Sequence, residues 1–194
     1  MIYLLDTNQE LDECANDLKC EVGQLLTPLT RRKYESGTFA IDNGAFANFN
    51  ADGFRSLLNR VKDHRQHCKF VAAPDVVGAA RRTLEVFDHW YPELAMWPIA
   101  LVAQDGQEDL PIPWRLISAI FIGGSTEWKL SNDAMAICKA AKAMGKWVHI
   151  GRVNTPNRME RFLDVADSVD GTGLSRYTHM RKNMAEGLPL LDPK

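Results

Sequence analysis

The chain of 194 residues lacks several things, and each lack excludes a class of protein. No stretch approaches ~18 uninterrupted apolar residues, so no membrane-spanning helix and no membrane partner is expected. Neither sign of charge dominates. With 23 Lys+Arg against 25 Asp+Glu the net charge is −2, which excludes a strongly basic nucleic-acid sponge but not a local basic face. The four cysteines, Cys14, Cys20, Cys68 and Cys138, form no C-x-x-C pair and no Cys/His set with zinc spacing. His64, His67 and Cys68 read as a solvated helix end, so no metal is expected. Scattered, unpaired cysteines fit a reducing cytoplasm. Met1 to Asp6 has neither a basic n-region nor a long apolar h-region, so no secretory leader is expected. The phosphate signatures G-x-x-x-x-G-K and G-x-G-x-x-G are missing too.

What is present is an ordinary globular composition, 45% hydrophobic and 25% charged, which excludes disorder as the main state. No repeat, low-complexity tract or linker interrupts it, so residues 1–194 read as one domain. One local grammar recurs. A short apolar run ends in a Gly, Asp or Gln cluster, and a helical stretch follows. Thr38 to Ile41 runs into Asp42-Asn43-Gly44-Ala45-Phe46, then a helix over 52–67 with Asp52 as its N-cap. Lys69 to Ala73 leads to Pro74-Asp75 and a helix over 79–90. Pro98 to Ala103 ends in Gln104-Asp105-Gly106, and Ala119 to Ile122 in Gly123-Gly124-Ser125-Thr126. A helix from Ser131 to Met144 closes on Gly145 as its C′ residue. Lys146 to Ile150 ends in Gly151-Arg152, a helix covers 157–165, and Ser168-Val169 ends in Asp170-Gly171.

That makes six strand-to-helix units plus a first strand at Ile2 to Leu5. Apolar strands alternating with amphipathic helices predict an α/β fold with a parallel sheet under helices. Polar residues after nearly every strand favour closure, because in a barrel all those loops share one mouth. The chain is short against the ~250 residues typical of eight full units, so the expectation is a reduced or distorted TIM-like (β/α) barrel.

Each polar cluster has a plain structural reading beside a functional one. Asp42-Asn43-Gly44, Pro74-Asp75 and Gln104-Asp105-Gly106 can all be simple turns. Placed at a pocket, Asp42 is a carboxylate at the mouth and Phe46 a cover for a flat ligand. Asp75 can accept paired hydrogen bonds from a purine edge. The Gln104 amide offers both donor and acceptor. Gly123 and Gly124 let a ligand approach the backbone. The basic C-terminal third, Arg152, Arg158, Arg176, Arg181 and Lys182, is either a solvated surface or a phosphate-binding one. Trp128 lies in a loop that could reach the pocket, and His149 is open between core and pocket.

Taken in order, these segments resemble one family. Asp-Asn-Gly-Ala-Phe, an Asp after an apolar strand, Val-Ala-Gln-Asp-Gly, Phe-Ile-Gly-Gly-Ser, His-Ile-Gly-Arg-Val-Asn-Thr-Pro and Ser-Val-Asp-Gly-Thr together resemble the tRNA-guanine transglycosylase superfamily. Its members include queuine and archaeosine transglycosylases and relatives that place 7-deazaguanines in DNA. The nearest likeness is to small phage-type members, over roughly Phe39 to Arg176. The resemblance implies a distorted barrel that exchanges a base at a nucleotide, in a bacterial host cytoplasm if the chain is phage-encoded. It implies Asp170 as nucleophile and Asp42 as acid/base. It implies Phe46 and Ile150 on the two faces of the base, Asp75 and Gln104 at its edge, and the Gly124 amide on a base oxygen. Gly123, Gly151 and Arg152 complete the implied substrate site.

Departures narrow the expectation. Asn43 and Ala45 stand where the family has Ser and a second Gly, and Asp105 stands for a Gly. The family's C-terminal zinc motif is missing, and with it the module that supports tRNA binding and dimerisation. DNA is therefore favoured over tRNA as partner, with a free 7-deazaguanine-type base as co-substrate and no other cofactor. The oligomeric state is left open. The chemistry has the same needs independently: one carboxylate against the sugar carbon, and a second group to manage base protons. Two other readings stand beside base exchange, a hydrolytic DNA glycosylase and a non-catalytic binder of a modified base.

Overall fold

Eight short runs take up extended backbone and pair side by side in chain order. The computed structural model describes residues 1–34 and 36–187. The elements are β1 (Ile2–Leu5), α1 (Leu11–Leu18), β2 (Val22–Leu26), β3 (Phe39–Ile41), α2 (Ala51–Val61), β4 (Cys68–Ala72), α3 (Ala80–Leu94), β5 (Ile99–Ala103), β6 (Ala119–Ile122), α4 (Thr126–Lys129), α5 (Asn132–Ala143), β7 (Trp147–Ile150), α6 (Pro156–Glu160), β8 (Ser168–Asp170), α7 (Thr172–Arg176) and α8 (Thr178–Gly187). Every strand pairs parallel with the next, and β8 pairs back onto β1 with Leu4 opposite Asp170. The sheet is a closed eight-stranded TIM-like barrel. The economy in chain length falls on the other parts: β3 and β8 have three residues, and α4, α6 and α7 four or five.

Strand alternation sorts the core into two layers. Leu4, Leu25, Phe70, Ala100, Val102 and Phe121 belong to a cluster built of strand residues alone, the barrel interior. The second cluster joins outward strand residues such as Ile41, Val148, Ile150 and Val169 to helix residues such as Phe54, Phe87 and Ile137.

The structure departs from the sequence reading in several places, among them α3, expected over 79–90, which runs on to Leu94. The apolar pattern predicts no strand at β2, because Gly23 and Gln24 interrupt its run. Gly23 is required there, since a Cβ would lie 2.9 Å from both Leu4 Cδ2 and Thr38 O. The helix expected over 52–67 is α2 followed by a 3₁₀ turn at Lys62–His67. Its cap is Asn50, whose Oδ1 accepts from Gly53 N–H at 3.0 Å, while Asp52 sits in the first turn beside the positive end of the helix dipole. Cys68 is buried at the start of β4, not at a solvated helix end. The helix expected over 157–165 stops at Glu160, and tighter bonds from Phe162 N–H to Met159 O and Val165 N–H to Phe162 O turn the chain into β8. By contrast Gly145 ends α5 as expected: it has φ +67, donates to Lys142 O, and the next amide, Lys146, donates to Ala141 O. No helix among the described residues is long and apolar enough to cross a membrane.

Candidate active site

The loops after the strands enclose a cavity of about 470 Å³ at the C-terminal mouth of the barrel. Asp42, Asp75, Gln104, Gly123, Gly124, Gly151, Arg152 and Asp170 all line it, and so does Phe46 at the rim. Ile150 does not. Period-two alternation along β7 turns His149 and Gly151 inward and Ile150 outward, where it is fully buried in the helix-facing layer. Ile150 therefore cannot cover a face of a bound base.

Asp170, at the end of β8, is only 8% exposed and held at both oxygens. His149 Nε2 lies 3.0 Å from Oδ2, and Arg152 N–H donates to Oδ1 at 2.8 Å. Burial pushes its carboxyl up, but the His149 and Arg152 hydrogen bonds and the nearby Lys129 ammonium outweigh it, so Asp170 titrates below the ordinary carboxylate value. The Arg152 amide can point there because Arg152 adopts φ +61, a left-handed conformation costly for a residue with a Cβ. Its side chain is tied down in turn. The guanidinium donates to Gly124 O, and its carbon lies 4.6 Å from the centroid of the Phe46 ring.

Asp42, at the end of β3, accepts Gly44 N–H at 2.7 Å. Burial pushes its carboxyl up to about 7; the Gly44 bond opposes this, and the charges of Asp170, Asp75 and Asp6 add to it. One cavity thus holds two carboxyls whose surroundings drive them apart, one kept ionised and one poised to carry a proton near neutrality.

Asp75 is the anchor of a polar network. Oδ1 accepts from Asn43 Nδ2 at 2.8 Å and Oδ2 from Gln104 Nε2 at 2.6 Å. Burial still raises its carboxyl above the ordinary value, against both bonds. Gln104 is 2% exposed, and its Oε1 accepts both Gly78 N–H and Gly124 N–H at 2.9 Å. Two expectations change here. The Gly124 amide is already engaged, so it is not free for a base oxygen. The Gln104 carbonyl is engaged as well, so Gln104 serves to aim Asp75 and to hold the β6 loop.

The glycines make room. Gly124 has φ +65, and a Cβ there would lie 2.5 Å from Trp128 Cε3 and 2.7 Å from Asp105 Oδ2. Trp128 is buried against this loop with its indole N–H on Glu108 at 2.7 Å, and it does not line the cavity. Neither neighbour can retreat easily, so Gly124→Ala is expected to cost ~1–3 kcal/mol. A melting temperature several degrees lower would show this; an unchanged one would mean that the loop moves freely.

Two further residues line the cavity, Asp6 and Arg176, and Lys129 supports its wall at Gly151. Asp6 lines the cavity, accepts Thr30 Oγ1–H at 2.8 Å, and is raised by burial. It follows β1 directly, the same strand-end position as the other acids. Lys129 is 4% exposed and donates from Nζ to Gly151 O; burial, with the charges of Arg152 and Arg158, holds its ammonium down to about 8. It is the residue after Trp128, on a turn that sequence could place only as a loop. Arg176 lines the mouth. Arg181 is 1% exposed and paired with Asp17 at 2.9 Å, pinning α8 to α1, so it is not available to a phosphate.

No protein family model matches the chain, and no curated protein matches it. Among solved structures it is similar to phosphoribosyl anthranilate isomerase from Thermus thermophilus, at 13% identity over 96% of both chains and a TM-score of 0.48. It is similar to the PaMucR phosphodiesterase in complex with c-di-GMP, at 17% identity over 72% of this chain and 61% of that one, with a TM-score of 0.42. An arginine-to-lysine mutant of flavocytochrome B2 aligns at 12% identity over 96% of this chain and 61% of that one, with a TM-score of 0.54. At such identity the last likeness is one of architecture alone.

Proposed function

We propose that this protein cleaves an N-glycosidic bond and exchanges a guanine-type base for a 7-deazaguanine, with DNA favoured over tRNA. The observation that carries the reading is the pair of oppositely tuned carboxyls in one cavity, Asp170 below the ordinary range and Asp42 at about 7. Asp170 attacks the anomeric carbon as the base leaves, and Asp42 gives the departing base a proton. The product is a glycosyl ester on Asp170. Asp42 then takes a proton from the incoming base, whose nitrogen attacks the same carbon and frees Asp170. Two displacements retain the configuration, as in retaining glycoside hydrolysis. The cavity volume lies in the range of small-ligand sites. Asp75 offers a carboxylate to ring and exocyclic N–H groups of a purine-like base.

Labelled DNA and labelled tRNA, incubated with and without a free 7-deazaguanine and digested to nucleosides, test the reading. Base exchange without abasic sites supports it. Abasic sites make the protein a hydrolytic glycosylase. No change in any substrate, with retention of the nucleic acid, makes it a binder.

The rim of the cavity suits a base taken out of a stack. Leu29, Phe46 and Val77 line the mouth while 74%, 69% and 47% exposed. Exposed apolar side chains can fill the gap left by an extruded base, and Arg152 and Arg176 lie beside them. A variant with Leu29→Ser and Val77→Ser is expected to slow reaction on duplex DNA about tenfold, the share of a few kcal/mol of unstacking that a wedge supplies. Its rate on single-stranded DNA should stay within about twofold, since there is no stack to open. Equal losses on both would show that the two side chains hold the base itself.

A further inference from the structure

We infer that His149 is a positioning residue for Asp170, and that a hydrogen-bond chain beginning at Trp147 fixes its tautomer with the proton on Nε2. The chain follows the inward faces of two adjacent strands. Trp147 and His149 alternate inward from β7, Ser168 and Asp170 from β8, and His149 stands in register with Ser168. Trp147 Nε1–H donates to Ser168 Oγ at 2.8 Å. His149 Nδ1 lies 2.8 Å from the same oxygen. His149 Nε2 lies 3.0 Å from Asp170 Oδ2.

The direction of the chain follows from what each group can do. An indole nitrogen only donates, so Ser168 Oγ must accept from Trp147. The hydroxyl has one proton left to give. Among the described residues Ser168 Oγ has no hydrogen-bond partner other than Trp147 and His149, so the acceptor is His149 Nδ1. Nδ1 is then the unprotonated nitrogen, and Nε2 carries the proton that Asp170 accepts. Ser168 and His149 are both fully buried, and the imidazole lies 4.8 Å from the Phe70 ring and 4.4 Å from the Phe121 ring. Neither group faces solvent, and the rings packed on the imidazole favour one orientation.

The consequence is a carboxylate fixed before substrate arrives. Oδ2 is held by a donor locked from beneath, and Oδ1 by the Arg152 amide. The attacking carboxylate then needs no reorientation, which is how preorganised dipoles lower a barrier. That catalytic consequence rests on the proposed role of Asp170; the tautomer assignment does not.

The test reads the two separately. Nitrogen-15 NMR of the imidazoles, with the His149 signals assigned by their loss in His149→Gln, should show an unprotonated Nδ1 and a protonated Nε2 in the unaltered protein. A protonated Nδ1 in the unaltered protein overturns the inference. Ser168→Ala should move the His149 signals away from that state and lower kcat about tenfold with KM unchanged, since substrate contacts stay intact. Ser168→Thr, which restores the hydroxyl, should recover both. If Ser168→Ala melts normally and changes neither the His149 signals nor kcat, the chain positions nothing and the inference falls. If the unaltered protein exchanges no base but shows the unprotonated Nδ1, the functional reading falls and the tautomer assignment holds.

Discussion

Asp170→Asn is expected to abolish base release, with a loss on the order of 10⁴-fold or more in kcat, and to leave no covalent adduct. An amide neither attacks the anomeric carbon nor stabilises the charge that develops there. The substitution also disturbs its own support. His149 Nε2–H and Arg152 N–H each donate to one oxygen of Asp170, and an amide can accept on one side only. One donor therefore meets an NH₂ group at a nearly buried position. A stability cost is expected with the catalytic one, and its pH dependence has a definite sign. Asp170 titrates below its ordinary value in the fold, so its contribution is present above the ordinary carboxylate value and is lost as pH falls through the folded one. Asp170→Asn should thus lower the melting temperature at pH 7 and differ less from the unaltered protein near pH 3. Mass spectrometry of acid-quenched reactions checks the adduct, and single-turnover kinetics check the rate. Retention of a tenth or more of the activity would remove Asp170 from the chemistry.

The parts of this site that sequence discloses are the ones that depend on local pattern. A strand end followed by an acid places Asp42, Asp75 and Asp170 at one mouth as soon as the barrel closes, because all parallel strands present their C-terminal ends there. Asp6 obeys the same rule, but the run before it is four residues long and ends in no glycine turn. Ile150 shows that parity matters as much as strand membership. It borders the inward residues His149 and Gly151 and is itself turned away. The couplings across strands leave no local trace. Nothing near Gln104 in the chain says that its amide is engaged by Asp75, Gly78 and Gly124. Nothing near Arg152 says that its backbone turns left-handed to reach a carboxylate 18 positions away. Strand β2 stays hidden for a related reason: Gly23 is there to clear Leu4 and Thr38, a tertiary demand that costs the strand its apolar pattern.

Asp42→Asn should behave differently from Asp170→Asn in both size and pH dependence. Loss of a general acid/base typically costs ~10²–10⁴-fold, and attack by Asp170 persists, so a slowly formed adduct should still be trapped. In the unaltered protein the first step needs Asp170 ionised and Asp42 protonated. The rate should therefore fall on the alkaline side near pH 7, where Asp42 loses its proton, and Asp42→Asn should abolish that limb while leaving the acid limb in place. Stability carries the same signature with the opposite sign to Asp170. A carboxyl raised in the fold contributes fully below its ordinary value, and that contribution is lost as pH rises through about 7. Asp42→Asn has no charge to bury, so its melting temperature relative to the unaltered protein should rise between pH 5 and pH 8. Two curves, rate and melting temperature against pH, thus test one carboxyl by independent means. An alkaline limb that survives in Asp42→Asn would move the proton-carrying role to another group. If instead Asp42→Asn forms no adduct while Asp170→Asn does, the two carboxylates exchange roles, and the nucleophile is the one at the end of β3.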